Sequence, residues 1–117
     1  MDLAAKLQLK SGERLMVVGD PGRVPQTVRD LEGDGARALI AFAVRRSDLA
    51  DSPAIPAAKE DQLTWIAYPK AGRLSTDLNR DIVRDLVMEQ GVEPVRQIAI
   101  DEVWSALRIR PTSARPS

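Results

Sequence analysis

The sequence predicts an α/β fold in which helices flank a five-stranded sheet. Three observations favour it. Short apolar runs of strand length alternate with segments whose apolar residues recur at helical spacing, and Gly or Pro separates most of them. Near the carboxyl terminus, two strand-like runs are separated by only a few polar residues. The alternation implies right-handed crossovers and a mainly parallel sheet, which an antiparallel hairpin completes.

The first segments predict a helix, a strand and a second helix. Residues 1–9 place Leu3, Ala4 and Leu7 on one side, which is typical of a short amphipathic helix. Residues 14–18 form a compact apolar run, and the Gly-Asp-Pro-Gly sequence at 19–22 closes it as a turn. Pro25 suits the first turn of the helix that follows.

The middle of the chain predicts the central strands. Residues 36–44 contain an apolar run without polar alternation, as expected for a strand that is covered on both faces. Residues 48–60 predict a helix that Pro53 makes irregular and restarts. Residues 63–68 form the third apolar run, which ends at a proline and a lysine.

The last elements are a helix and the hairpin. Residues 78–90 have the clearest helical spacing in the chain, with a cap expected among residues 75–77. Residues 95–100 and 106–110 predict two strands, and their polar alternation favours a partly exposed edge. We therefore expect one domain over residues 1–110 and a flexible tail over residues 111–117.

Composition limits the possible functions. The 117 residues include 17 basic and 17 acidic side chains, so no net field draws the protein to nucleic acid or to an anionic membrane. The chain has no His and no Cys, which excludes Ser-His-Asp and Cys-His catalysis and a conventional zinc site. We expect no cofactor, no bound metal and a cytoplasmic location, and a binding role is favoured over an enzyme.

The strand order bears on partners. Adding each strand beside the previous one gives the order 1-2-3-5-4, with the last strand antiparallel. Right-handed crossovers would then place the connecting helices mostly on one face, and the strand order would never reverse. The short N-terminal helix alone would cover the other face, although strands one and two are apolar on both faces. This predicts a homodimer, or an unknown protein partner, on that face.

Charged residues should collect where the parallel strands end. The residues are Asp20, Arg45, Arg46, Lys70, Asp101 and Glu102, with Arg23 and Arg73 in nearby loops. Two interpretations remain open. In the first, Arg45, Arg46 and Lys70 bind a phosphate or carboxylate, with Trp104 beside them. In the second, Lys70 pairs with Asp101 or Glu102 and Trp104 packs on the lysine stem, which locks the third strand to the hairpin. The near match of acids and bases favours the structural lock.

Several short motifs of the chain together form a recognisable pattern. They are Lys6-Leu-x-Leu-Lys10, Gly12-Glu13-Arg14, Trp65-x-x-Tyr68-Pro69-Lys70, Thr76-Asp77-Leu78, Val83-Arg84 and Asp101-Glu102-x-Trp104-Ser105-x-Leu107. The pattern resembles a widespread bacterial family of small domains known only as a domain of unknown function. In this family Trp is common at the position of Tyr68, and Thr at that of Val103. The resemblance implies no activity.

A second, looser resemblance rests on the segment from Leu9 to Arg14, the first strand ending in Gly and the terminal hairpin. These features are similar to the Rossmann-like fold of methyltransferases that use S-adenosylmethionine. The turn at 19–22 departs from the G-x-G-x-x-G type, and no acidic residue follows a second strand at the expected distance.

Three hypotheses result. The first is a non-catalytic Rossmann-like module that self-associates through the sheet face and acts in protein interaction or regulation. The second is a binding domain for a small anion at the carboxyl edge of the sheet. The third is a degenerate methyltransferase-like domain.

Overall fold

The computed structural model describes residues 2–19, 21–22 and 24–112. Within these residues, one sheet of five strands packs against short helices. The strands are β1 (Leu15–Val18), β2 (Ala38–Phe42), β3 (Thr64–Pro69), β4 (Val92–Ala99) and β5 (Trp104–Pro111). The helices are α1 (Leu3–Lys6), α2 (Gln26–Arg29), α3 (Arg46–Ala50), α4 (Ala54–Lys59) and α5 (Arg80–Met88), and a 3₁₀ turn covers Arg73–Ser75.

The strand order is β1-β2-β3-β5-β4, as the sequence predicts. β1 pairs with β2 and β2 with β3 in parallel, whereas β5 runs antiparallel to both β3 and β4. Because β5 lies between β3 and β4, half of the neighbouring pairs are antiparallel. The sheet is therefore mixed, and its predicted mainly parallel character is not confirmed.

One face of the sheet packs against α3, α4 and α5. Inward side chains from β2, β3 and β5 alternate with those of the opposite face, as the two-residue period of a strand requires. We call this side the α3–α5 face. Its buried residues include Leu39, Leu49, Ile55, Ile66, Val83, Val87 and Leu107.

The opposite face packs against α1 and α2, and we call it the α1–α2 face. Val28 of α2 is fully buried there, together with Leu7 at the end of α1. Trp65 is also fully buried in this cluster. The prediction that only the N-terminal helix covers this face is therefore wrong, because α2 also packs against it.

The position of α2 follows from an unexpected connection. The chain leaves β1, forms α2 and then returns to the outer side of β1, where Leu15 and Glu32 form a parallel bridge. The Leu15 N–H donates to the Leu31 carbonyl at 2.9 Å, and the Gly33 N–H donates to the Leu15 carbonyl at 3.2 Å. A right-handed crossover in this outward direction places its helix on the face opposite the helices that follow β2. The direction of winding thus reverses at β1, although the order of the five strands is the predicted one.

Local interactions set the helix boundaries. The predicted helix over residues 48–60 is two helices, α3 and α4, with Pro53 at the start of the second. The cap of α5 is Asn79, whose Oδ1 accepts a hydrogen bond from the Ile82 N–H at 2.9 Å. The prediction of a cap among residues 75–77 is wrong, since the side chains of Thr76 and Asp77 bond to the end of β2 and the start of α3.

The closing hairpin differs in part from expectation. β4 is an edge strand, but β5 is internal, and its alternating arginines lie at one end of the sheet rather than along an exposed edge. Pro111 belongs to β5, and most of the predicted tail, residues 113–117, lies outside the described residues. No helix formed by the described residues is both long and apolar enough to cross a bilayer.

Candidate functional site

Two adjoining cavities lie where β1 and β2 end, which is where the winding reverses. Each has a volume of about 330 Å³, and Pro21 and Val44 border both. The first cavity lies between the two strand ends and the start of α4, and its polar lining includes Asp48, Asp51 and Ser52. The second lies between the turn after β1 and the 3₁₀ turn after β3. Open α/β sheets bind ligands at such reversals, beyond the carboxyl ends of their strands.

A close backbone approach fixes the floor of the first cavity. Gly19 adopts a φ of +70°, and a Cβ atom at this position would lie 2.6 Å from the Phe42 carbonyl oxygen. Only glycine combines this left-handed conformation with such a close contact. Gly19 therefore sets how closely the end of β1 approaches β2.

A left-handed turn borders the second cavity. Leu74 has a φ of 53° and Ser75 a φ of 51°, and both line the cavity. Non-glycine residues rarely adopt this conformation, and consecutive ones are rarer still. Such strained residues cluster at ligand-binding and catalytic sites. No sequence signal marks Leu74 for this role, because a leucine in a loop is compatible with many conformations.

Hydrogen bonds hold this turn against the start of α3. The Thr76 hydroxyl donates to the Val44 carbonyl and also accepts from the Leu78 N–H. The Asp77 carboxylate accepts a hydrogen bond from the Arg46 N–H at 2.9 Å. The end of β2 and the loop after β3 therefore form one bonded unit around the second cavity.

Two acidic residues at this edge are engaged by the main chain. Asp48 accepts hydrogen bonds from the N–H groups of Val44, at 2.9 Å, and Arg45, at 3.0 Å. Together with Asp77, it satisfies the main-chain donors that the start of α3 leaves without helical partners. Neither carboxylate forms an ion pair with an arginine or lysine among the described residues.

The cations predicted at this edge have no carboxylate partner among the described residues. Within 4.0 Å, no acidic group of the described chain pairs with Arg45, Arg46, Lys70 or Arg73. Arg45 follows Val44 and Arg73 precedes Leu74, so both flank residues that line the second cavity. Asp20 and Arg23, which the sequence also places near this edge, lie outside the described residues.

Main-chain bonds connect β3 to the hairpin. The Lys70 N–H donates to the Val103 carbonyl at 2.7 Å. The Asp101 carboxylate accepts from the N–H groups of Val103 and Trp104, each at 2.8 Å, and so closes the hairpin turn. Lys70 forms no ion pair with Asp101 or Glu102 within 4.0 Å among the described contacts. The ionic form of the lock stays a prediction.

Both tryptophans lie in the core of the α1–α2 face. Trp104 is 2% exposed, and its ring meets that of Phe42 edge to face, with centroids 4.8 Å apart. The Trp65 indole N–H donates to the Leu7 carbonyl at 3.1 Å, which attaches the end of α1 to the sheet. In this arrangement Trp104 packs beneath the edge rather than lining either cavity.

Tyr68 and the acidic residues of α5 make contacts within the fold. Burial raises the pKa of Tyr68, whose hydroxyl accepts a hydrogen bond from Gln97 at 3.4 Å. The acidic residues of α5 pair with their arginine neighbours, as Arg84 does with Asp81 at 3.4 Å and with Asp85 at 3.3 Å. The described residues contain no cluster of three acidic, His or Cys groups that could hold a metal ion.

Comparison with known proteins does not assign the site. No protein-family model and no curated protein matches the chain. The resemblance to a bacterial family of unknown function therefore stays a prediction, as does the likeness to methyltransferases. A function can therefore be inferred only from the geometry of the carboxyl edge.

Proposed function

We propose that the protein is a small Rossmann-like module that binds a phosphate-bearing or carboxylate-bearing small molecule at the carboxyl edge of its sheet. One observation carries the proposal. At this edge Asp48 and Asp77 accept main-chain hydrogen bonds, whereas the neighbouring arginines and lysine have no carboxylate partner among the described residues. Cations beside a concave surface attract anions.

The second cavity supports a small anionic ligand, whereas Asp48 and Asp51 in the lining of the first would repel an anion. The second cavity has a volume of about 330 Å³, at the lower end of the range of roughly 300–1,000 Å³ that is typical of small-molecule pockets. Arg45 and Arg46 can each offer a planar pair of N–H donors to an anionic group, and Lys70 offers a point charge. The strained turn at Leu74 and Ser75 supplies a rigid wall.

Binding is favoured over the two other hypotheses. Self-association was inferred from an apolar sheet face that lacked a cover. Because α1 and α2 together bury the aromatic residues of that face within one chain, this reason for a dimer no longer applies. Catalysis would have to proceed without His or Cys. The homodimer and the methyltransferase-like activity stay predictions, which sedimentation and calorimetry with S-adenosylmethionine would test.

The proposal is tested by calorimetric titration with inorganic phosphate. We compare the unaltered protein with the double variant Arg45→Gln/Arg46→Gln. The matched control is Arg80→Gln/Arg84→Gln, which removes the same charge from exposed arginines of α5. Because each lost charge-assisted hydrogen bond is worth roughly 1.5–3 kcal/mol, the edge variant should bind at least about tenfold more weakly. Equal weakening in both variants, or no binding by the unaltered protein, would refute the proposal.

A further inference from the structure

The opposite edge of the sheet contains a larger cavity that no predicted site includes. Its volume is about 630 Å³. The segments that enter β1, β2 and β3 form three of its sides, and the end of β5 forms the fourth because β5 runs antiparallel to β3. The charged and polar residues of its lining include Gln8, Lys10, Glu13, Arg37, Asp61 and Arg108.

Arg108 is the distinctive residue of this cavity. Its Nη1 donates to the Gln8 side-chain oxygen at 2.6 Å. Its Nε is buried and has no hydrogen-bond partner among the described residues. A buried donor without an acceptor is rare in folded proteins and indicates a missing partner. The Nε–H and the adjacent Nη2–H point in the same direction, which is the geometry that accepts a carboxylate through two parallel bonds.

The acidic residues of the cavity are already engaged elsewhere. Asp61 receives two hydrogen bonds from Arg110, each at 2.9 Å. Glu13 accepts from the Lys10 N–H at 2.7 Å and lies 3.7 Å from Arg37. Neither acid therefore forms a hydrogen bond or ion pair with Arg108 among the described contacts, although the charge of Asp61 acts on it. Burial, and after it the charge of Arg110, lowers the pKa of Arg108.

Two left-handed residues set the positions of the β5 arginines. Gln8 has a φ of 64° and contacts Arg108, while Asp61 has a φ of 59° and contacts Arg110. Each residue therefore combines an uncommon backbone conformation with a side-chain bond to one arginine. The Gln8 contact holds the guanidinium of Arg108 at the cavity wall, and the Asp61 contact holds the neighbouring Arg110.

We propose that this cavity binds a small organic carboxylate. A shift of the Arg108 guanidinium exposes its buried Nε, so that Nε–H and Nη2–H hold the carboxylate while the Lys10 ammonium adds a point charge. This site is separate from the proposed anion site, because it lies at the other end of the strands. It would give the module two ligand sites joined by the central strands.

The test observes the Arg108 Nε–H directly by ¹⁵N NMR during titration with succinate. Succinamide, which has nearly the same shape and no charge, is the matched control ligand. We expect a saturable shift of the Arg108 Nε–H resonance with succinate and none with succinamide. No saturable shift at about 10 mM succinate, as when a water molecule alone fills the position, would overturn the proposal. An equal response to succinamide or to inorganic phosphate would also overturn the carboxylate assignment.

The succinate affinities of three variants test whether the ligand binds at Arg108. Arg108→Lys keeps the charge but loses the paired donors, so succinate should bind about tenfold more weakly. Arg96→Lys, on the neighbouring strand, should leave the affinity unchanged. Arg45→Gln/Arg46→Gln should also leave it unchanged, which separates this site from the carboxyl edge. If Arg108→Lys fails to fold, judged by its amide spectrum, the titration of the unaltered protein decides.

Discussion

The two edges of the sheet hold their cations in different ways. At the carboxyl edge Arg45 and Arg46 are exposed and follow a strand, and main-chain hydrogen bonds fix the loops that carry them. At the amino edge Arg108 lies within a strand, is half-buried and bonds to Gln8 through its side chain. At the carboxyl edge, carboxylates therefore bind main-chain N–H groups, whereas at the amino edge the arginines bind other side chains.

The largest expected loss of stability is at Gly19 of the carboxyl edge, and Gly12 of the amino edge is its matched control. Gly19→Ala should reduce the free energy of unfolding by about 3 kcal/mol, because a left-handed alanine is strained and its Cβ would clash with the Phe42 carbonyl. Gly12→Ala, near the amino edge, has a φ of +82° but no atom within 4 Å of the added Cβ. It should cost about 1 kcal/mol. Chemical denaturation measures both values.

The difference between these variants tests the close approach at the carboxyl edge. Both glycines have positive φ, so the backbone strain of the two substitutions is similar. Equal losses of stability would mean that the contact between Gly19 and Phe42 contributes nothing.

A smaller effect is expected at the hairpin turn. Asp101→Ala removes the acceptor for the N–H groups of Val103 and Trp104 and should lower the free energy of unfolding by about 1 kcal/mol. Glu102→Ala is the control and should change it by less than about 0.5 kcal/mol. If Asp101 instead acts as the ionic partner of Lys70, a double-mutant cycle between these two residues will give a clear coupling energy.

The smallest expected change in stability comes from the ion pair between Arg110 and Asp61, beside Arg108. The hydrogen bond from Arg110 lowers the pKa of Asp61 in the folded protein. A lowered folded-state pKa means that the pair stabilises the protein above the pKa of the unfolded chain, near pH 4. This stabilisation disappears as the pH falls through the folded-state pKa.

An NMR titration of the Asp61 carboxyl carbon measures this pKa. Arg110→Gln should raise it towards the ordinary value of an aspartate. An unchanged titration curve in that variant would show that the bidentate contact does not persist in solution.

The sequence predicted the strands better than the helical layers. The apolar runs ending at Val18, at Val44 and before Lys70 identify β1, β2 and β3, because buried strands need continuous apolar residues. The side on which α2 packs depends on the parallel bridge at Glu32. A single bridging residue leaves no apolar run, so periodicity could not reveal the reversal at β1.

The candidate sites were predictable only in part. The clustering of Arg45, Arg46 and Lys70 follows from strand ends that share an edge, and the sequence could indicate it. The left-handed turn at Leu74 and the unsatisfied Nε of Arg108 could not be predicted, because both depend on contacts between segments far apart in the chain.

The most direct test of the proposed anion site is a ¹H–¹⁵N titration with inorganic phosphate. The largest saturable shifts should fall on the amides of residues 44–46 and 72–76, which surround the second cavity. Amides at the amino edge, such as those of residues 8–13, should move little. Absence of saturable shifts, or shifts confined to the amino edge, would contradict the assignment of anion binding to the carboxyl edge.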